Sequence, residues 1–152
     1  TDITVSEPSP LRRARALAVG AAQAIEPFAL ARAPMGRTVE SPFTIAFECS
    51  GNNYAVESAF DQLDYAGTLV FVGTGHDMPT INHNRAIVLE LTIIGAYNYD
   101  ADGFESAVAM LASGVLPVDL LIDPVDAPLA GVLDAMLECA RGERPAKVMV
   151  KP

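Results

Sequence analysis

The sequence predicts an α/β fold of the doubly wound kind, a parallel sheet with helices on both faces. Three observations lead there. Apolar runs of strand length alternate with stretches of helical periodicity. The runs are apolar at successive positions, as strands buried on both faces are. Small residues follow two of the strands, Ser50-Gly51 and Gly73-Thr74-Gly75, where such folds admit ligands at the carboxyl ends of the sheet.

The elements follow in order. Ile3 to Ser6 alternates β-branched and polar residues and reads as a short strand, broken by Glu7-Pro8-Ser9-Pro10. Ser9 suits an N-cap and Pro10 a first helical position. Leu11, Ala14, Leu17 and Ala18 then share one helical face, and Gly20 stops the helix. Gln23 to Glu26 reads as a short strand and Phe28 to Arg32 as a short helix, within a stretch, 21–42, interrupted by Pro27, Pro34, Gly36 and Pro42.

Phe43 to Cys49 is a largely apolar strand. Asn52 caps the next helix, whose core face is Ala55, Val56, Ala59, Phe60 and Leu63. Asp64 to Gly67 is a turn, and Thr68 to Val72 is the next strand. Leu89 to Tyr97 is a third, broken by Gly95. A helix from about Asp102 to Ser113 turns Phe104, Ala107, Val108 and Leu111 inward. A last helix, about Leu129 to Arg141, buries Val132, Leu133, Met136 and Leu137, and Lys147 to Val150 closes the chain as a strand. No repeat, low-complexity tract or second domain is evident.

Composition narrows the function. The chain has 152 residues, 51% of them hydrophobic, and a formal net charge of -9. That excludes disorder as the main state and makes nonspecific nucleic-acid binding or a basic membrane-binding face a poor fit. No apolar run approaches the roughly 18 residues of a span, and no signal segment is visible. Cys49 and Cys139 form no disulfide framework, so a reduced cytoplasmic setting is expected.

Glu7 is the most informative candidate. An acid at the end of the second strand of a Rossmann unit accepts hydrogen bonds from the adenosine ribose hydroxyls, although methyltransferases place an acid there too and a solvated loop carboxylate is the plain alternative. The glycine-rich loop belongs about 20 residues before that acid. Only six residues precede Glu7, so the expectation is a Rossmann-like sheet lacking its first strand and glycine-rich loop, preceded by chain not shown. Arg12 either reaches the adenine or a ribose hydroxyl or is an ordinary helix arginine. Gly73 and Gly75 mark either close backbone approach to a ligand or a plain turn. His76 and His83 lie in a loop-like stretch without metal-ligand spacing, and neither cysteine has a base nearby in sequence. No catalytic residue and no metal ligand is assigned.

ITVSEPSPLRRARALAVGA, FECSGN, GTLVFVGTG, ELTIIGAYNY and the KVMV ending, in that order, resemble the coenzyme-binding part of medium-chain zinc-dependent alcohol and polyol dehydrogenases. The sorbitol and threonine dehydrogenase branch is the most similar. The resemblance implies that Glu7 is the acid for the adenosine ribose and Arg12 its basic partner. It implies that Cys49 and Ser50 lie beside the cofactor, that Val72, Gly73 and Thr74 meet the nicotinamide end, and that Ala96, Tyr97 and Asn98 form the last contact segment. It further implies NAD as coenzyme, an alcohol substrate, a homodimer or homotetramer, and zinc held only by an N-terminal domain absent from this sequence. Residues 1–152 are then a partial dinucleotide-binding domain, inactive without that domain. Two rivals stand beside this reading: a non-catalytic nucleotide-binding or sensor module of the same family, and a methyltransferase, against which the Gly73-Thr74-Gly75 strand end speaks.

Overall fold

The computed structural model describes residues 2–152. In chain order the elements are β1 (Thr4–Ser6), α1 (Pro10–Ala18), β2 (Gln23–Ile25), β3 (Phe43–Glu48), α2 (Asn53–Asp61), β4 (Leu63–Phe71), α3 (His83–Val88), β5 (Thr92–Gly95), α4 (Gly103–Ala112), α5 (Val118–Leu121), β6 (Ala127–Pro128), α6 (Val132–Ala140) and β7 (Val150–Lys151). Two compact units contain them, Thr1–Glu26 with Tyr99–Pro152, and Pro27–Asn98.

Every strand pairing among the described residues is parallel, as the apolar runs require. In the first unit β1 pairs with β2, Val5 opposite Ala24, and β6 pairs with β7. In the second, the order is β3-β4-β5, with Phe47 opposite Val70 and Val70 opposite Ile94. β1 and β3 each have one laddered side and one open edge among the described residues.

The core lies in the second unit. Phe60 from α2 meets Leu63 and Leu69 from β4, with Ala46, Phe71, Ile81, Ala86 and Leu91 packed around them. The opposite face of the sheet is not covered: Ile45 and Phe47 are exposed. Alternation along β3 explains this, since Ala46 and Glu48 point to the face that α2 packs against.

Several boundaries differ from expectation. The segment 64–67 is not a free turn. It is an outward loop within β4, where the register slips between Phe43 and Ile45 and the Ala66 N–H donates to the Leu89 carbonyl at 2.7 Å. The residues before Leu89 are helical, because the Asn82 side chain accepts from the Asn84 N–H and starts α3. His83 is therefore the first residue of a helix, Leu89 is a buried helix end, and the strand begins only at Thr92. Residues 27–29 form one 3-10 turn in place of the helix to Arg32. Ser9 precedes α1, but its hydroxyl donates to the Gly142 carbonyl at 2.7 Å instead of capping the helix.

The helices of the first unit depart most. Leu11 and Leu17 on α1, Phe104, Val108 and Leu111 on α4, and Leu133, Met136 and Leu137 on α6 are all exposed. Periodicity locates an apolar face correctly but does not supply what covers it. Among the described residues of this unit only Ala127 and Ala135 are buried hydrophobic residues.

Candidate functional site

The first strand end is built by β1. The Glu7 N–H continues the ladder to the Ile25 carbonyl at 3.0 Å, and the Glu7 carboxylate accepts from the Ser9 N–H at 2.8 Å. The second carboxylate oxygen accepts nothing from the described residues. Arg13, not Arg12, shapes this turn. Its guanidinium donates to the carbonyls of Glu7 and Pro8, both at 2.8 Å, and pairs with Glu26 at 3.0 Å. Arg12 turns the other way and donates to the carbonyls of Cys139 and Arg144 (the latter at 3.1 Å), closing the end of α6. A cavity of about 280 Å3 lies here, lined by Glu7, Ser9, Arg12 and the Ala140-Arg141-Gly142 turn.

The second strand end joins β3 to β4. The Glu48 main-chain carbonyl accepts from both the Val72 and Gly73 N–H groups, at 2.8 and 2.9 Å. The Glu48 carboxylate, 3% exposed, accepts from the N–H and hydroxyl of Ser50 and the N–H of Gly51, at 2.5–3.1 Å. Ser50, Gly51, Val72 and Gly73 are thereby held as one backbone shelf, with Thr74 against Gly51. The contact is so close that a Cβ on Gly51 would overlap the Thr74 carbonyl, and one on Gly73 the Gly51 nitrogen. Asn52 caps α2, accepting from the Tyr54 and Ala55 N–H groups at 2.9 and 3.3 Å. A cavity of about 240 Å3 is lined by Gly51, Asn53, Val56, Phe71, Gly73 and Gly75 with Asp77 and Pro79.

Cys49 borders this shelf and is exposed. Desolvation pushes its thiol upward, and the Glu48 charge adds to that. The third strand end is joined through Ala96, whose N–H donates to the Phe71 carbonyl at 2.8 Å. Tyr97 is 83% exposed and Asn98 has left-handed backbone, φ 57°. Of the sequence-predicted residues in this unit, Cys49, Ser50, Val72, Gly73, Thr74 and Ala96 gather at adjacent strand ends, while the Tyr97 side chain stands out into solvent. Among the described residues, no group of three or more His, Cys, Asp or Glu is placed to hold a metal ion.

Sequence reading missed three anchors. Glu48 announces itself as a lone carboxylate in an apolar strand. Arg13 was hidden beside Arg12. Arg85 is buried, its guanidinium donating to the carbonyls of Arg37, Phe60, Asp61 and Leu63 at 2.6–3.4 Å.

The family model for zinc-binding dehydrogenases matches residues 1–113. The chain belongs to that family. Rat sorbitol dehydrogenase is 31% identical to it over 155 residues, covering 99% of this chain and 43% of the rat enzyme. The crystal structure of Escherichia coli galactitol-1-phosphate dehydrogenase superposes with a TM-score of 0.78 at 26% identity, over 99% of this chain and 46% of that one. A zinc-binding dehydrogenase from Sinorhizobium meliloti, solved bound to NADP, superposes with a TM-score of 0.76 at 21% identity, over 99% of this chain and 44% of that one. The chain thus spans less than half the length of each. The family expected from the residues is the one found, and the Rossmann-like fold class stands with it.

Proposed function

We propose that this chain is the NAD(H)-binding portion of a zinc-type alcohol or polyol dehydrogenase that transfers hydride between an alcohol and NAD. The observation that carries the reading is Glu7. Its carboxylate sits at the carboxyl end of a parallel strand, beside a cavity, with one oxygen held by Ser9 and the other open to a ribose hydroxyl. The S. meliloti structure holds NADP, so the shared fold leaves the coenzyme open and Glu7 makes the choice. A 2′-hydroxyl donates to a carboxylate; a 2′-phosphate is repelled by it.

The residues fit a nicotinamide coenzyme. Bound NAD supplies the hydride acceptor. The chain's own part is orientation. By the resemblance, Glu7 takes the adenosine ribose. The Val72-Gly73-Thr74 shelf, bare of side-chain bulk at Gly73, lets main chain approach the nicotinamide end. Ser50 and Ala96 flank that shelf. By the resemblance, zinc is held by an N-terminal domain outside these residues, where it would polarise the alcohol oxygen. No helix among the described residues is long and apolar enough to cross a membrane. A cytoplasmic protein, with an alcohol as substrate, completes the proposal.

We also propose self-association through β5. Thr92–Gly95 ladders with β4 on one side, and Ile93 and Ile94 are exposed. An apolar, β-branched edge strand left bare is a hazard that a two-fold contact removes.

Calorimetric titration of the intact protein with NADH and NADPH tests the coenzyme reading. NADH should bind at least about tenfold tighter, the equivalent of one charge-assisted hydrogen bond. No binding of either coenzyme would point instead to a module that has left coenzyme chemistry.

A further inference from the structure

We propose that Glu48 is a positioning residue for the coenzyme, acting through the Ser50-Gly51 and Val72-Gly73 main chain rather than by touching the coenzyme itself. The inference rests on the coenzyme reading above and deepens it. Four observations carry it. Glu48 is 3% exposed in a strand otherwise made of apolar and small residues. Its carboxylate gathers three donors from Ser50 and Gly51, both N–H groups and the Ser50 hydroxyl. Its own carbonyl gathers two more N–H groups, from Val72 and Gly73. Gly51, so held, is in backbone contact with Thr74 and Gly75.

One residue therefore fixes both strand ends, from opposite ends of its own structure. An apolar side chain of the same length would fill the space without the cost of burying a charge. It would also leave the Ser50 and Gly51 N–H groups without an acceptor, free to turn toward solvent or into the ligand's space. Preorganised main chain is what lets a strand end bind a coenzyme without first being ordered by it.

The test uses the intact protein and two variants. Glu48→Gln keeps one acceptor oxygen and the shape; Glu48→Ala keeps neither. Amide hydrogen exchange of the coenzyme-free protein should quicken at Ser50 and Gly51 by roughly tenfold in Glu48→Ala and less in Glu48→Gln. The Kd and KM for NADH should rise about tenfold in Glu48→Ala and about threefold in Glu48→Gln, with kcat held within about twofold, the pattern of lost ground-state and transition-state binding in equal measure. A merely structural role would lower Tm and leave the Kd of the folded variants where it was, and that result overturns the proposal. If Glu48→Ala does not fold, Glu48→Gln decides on the same two measurements. Failure of the unaltered protein to bind NADH or NADPH overturns this proposal together with the coenzyme reading. Normal binding by the unaltered protein, with unchanged Kd in Glu48→Gln, overturns this proposal only.

Discussion

The guanidinium of Arg13 donates to the main-chain carbonyl of Glu7 at 2.8 Å, so the arginine that follows the acid in sequence holds its backbone and not its charge. The consequence is a carboxylate whose charge is not neutralised by the nearest cations. Arg13 is spent on carbonyls and on Glu26, and Arg12 on the end of α6. Neither is free to meet a 2′-phosphate. Glu7→Ser should therefore reduce the preference for NAD over NADP by about tenfold, because a hydrogen bond to a charged acceptor is worth roughly 1.5–3 kcal/mol. Arg13→Ala should weaken both coenzymes alike by loosening the turn. Titration of each variant with NADH and NADPH checks this. An unchanged preference in Glu7→Ser would remove Glu7 from the coenzyme site.

The glycines of the strand ends give a sharper contrast. Gly73→Ala places a methyl group against the Gly51 nitrogen, and Gly51→Ala adds a φ of +67° that L residues adopt at a cost of about 1–2 kcal/mol. Each should destabilise by about 2 kcal/mol or more, as overpacking against main chain does. Gly95→Ala meets nothing within 4 Å and should stay within about 0.5 kcal/mol of the unaltered protein. Denaturant titration of the three variants separates these outcomes. Equal effects at Gly73 and Gly95 would contradict the backbone shelf.

Arg85 should prove essential to the second unit. It satisfies four carbonyls, among them those of Phe60 and Asp61 at the end of α2. Arg85→Met removes the donors and leaves buried acceptors at about 1–3 kcal/mol each, so a loss of about 3 kcal/mol or more is expected. Arg85→Lys should recover little, since an ammonium cannot reproduce the planar fork. Urea denaturation of both variants measures it. Recovery by lysine would mean that charge, not geometry, matters here.

These anchors mark where sequence reading reached its limit. Asn52 was legible because a cap and its helix are neighbours in the chain. The Gly51 and Gly73 strand ends were legible because glycine after an apolar run has few other uses. Arg85 was not, because its partners are main-chain carbonyls, which leave no residue-type signature; Glu48 shows only as a lone carboxylate in an apolar strand, with nothing to name its partners. Leu89 reads as the start of a strand in an apolar run, yet the Asn82 cap begins a helix that Leu89 closes. The apolar stripes of α4 and α6 were found, but their expected burial was not, since a stripe does not name its partner.

Cys49 should be a slow thiol. Partial burial first and the Glu48 charge second hold its pKa above the ordinary value. In the window between the unfolded and the raised folded pKa, the folded state binds more protons than the unfolded one. Stability due to this group is thus fully present below the unfolded value and lost as pH rises through the folded one. Alkylation by iodoacetamide at pH 7.5 should run slower than for a free thiol, and Glu48→Gln should speed it by removing one of the two causes. A rate equal to that of a free thiol would show that the sulfur is neither desolvated nor influenced by Glu48.

A polypeptide of residues 1–152 should not unfold as one cooperative system. Among the described residues of the first unit the buried hydrophobic ones are two alanines, Ala127 and Ala135, while the apolar faces of α1, α4 and α6 lie exposed. Burying an alanine methyl removes little apolar surface, at about 25 cal/mol per Å2, whereas ordering each residue's backbone costs about 1–2 kcal/mol. The second unit buries Val56, Phe60, Leu63, Leu69 and Leu89 and adds the Arg85 and Glu48 networks. The strands β3 and β4 should therefore show the slowest amide exchange in the chain, and β1, α1 and α6 the fastest. The first unit needs apolar surface from elsewhere to cover its helices, and the open edges of β1 and β3 need strand partners for their unpaired groups. Native-state hydrogen exchange and a thermal scan of that polypeptide test this together. A single sharp transition, with equal protection in both units, would mean that the first unit holds together without further cover for its exposed helix faces.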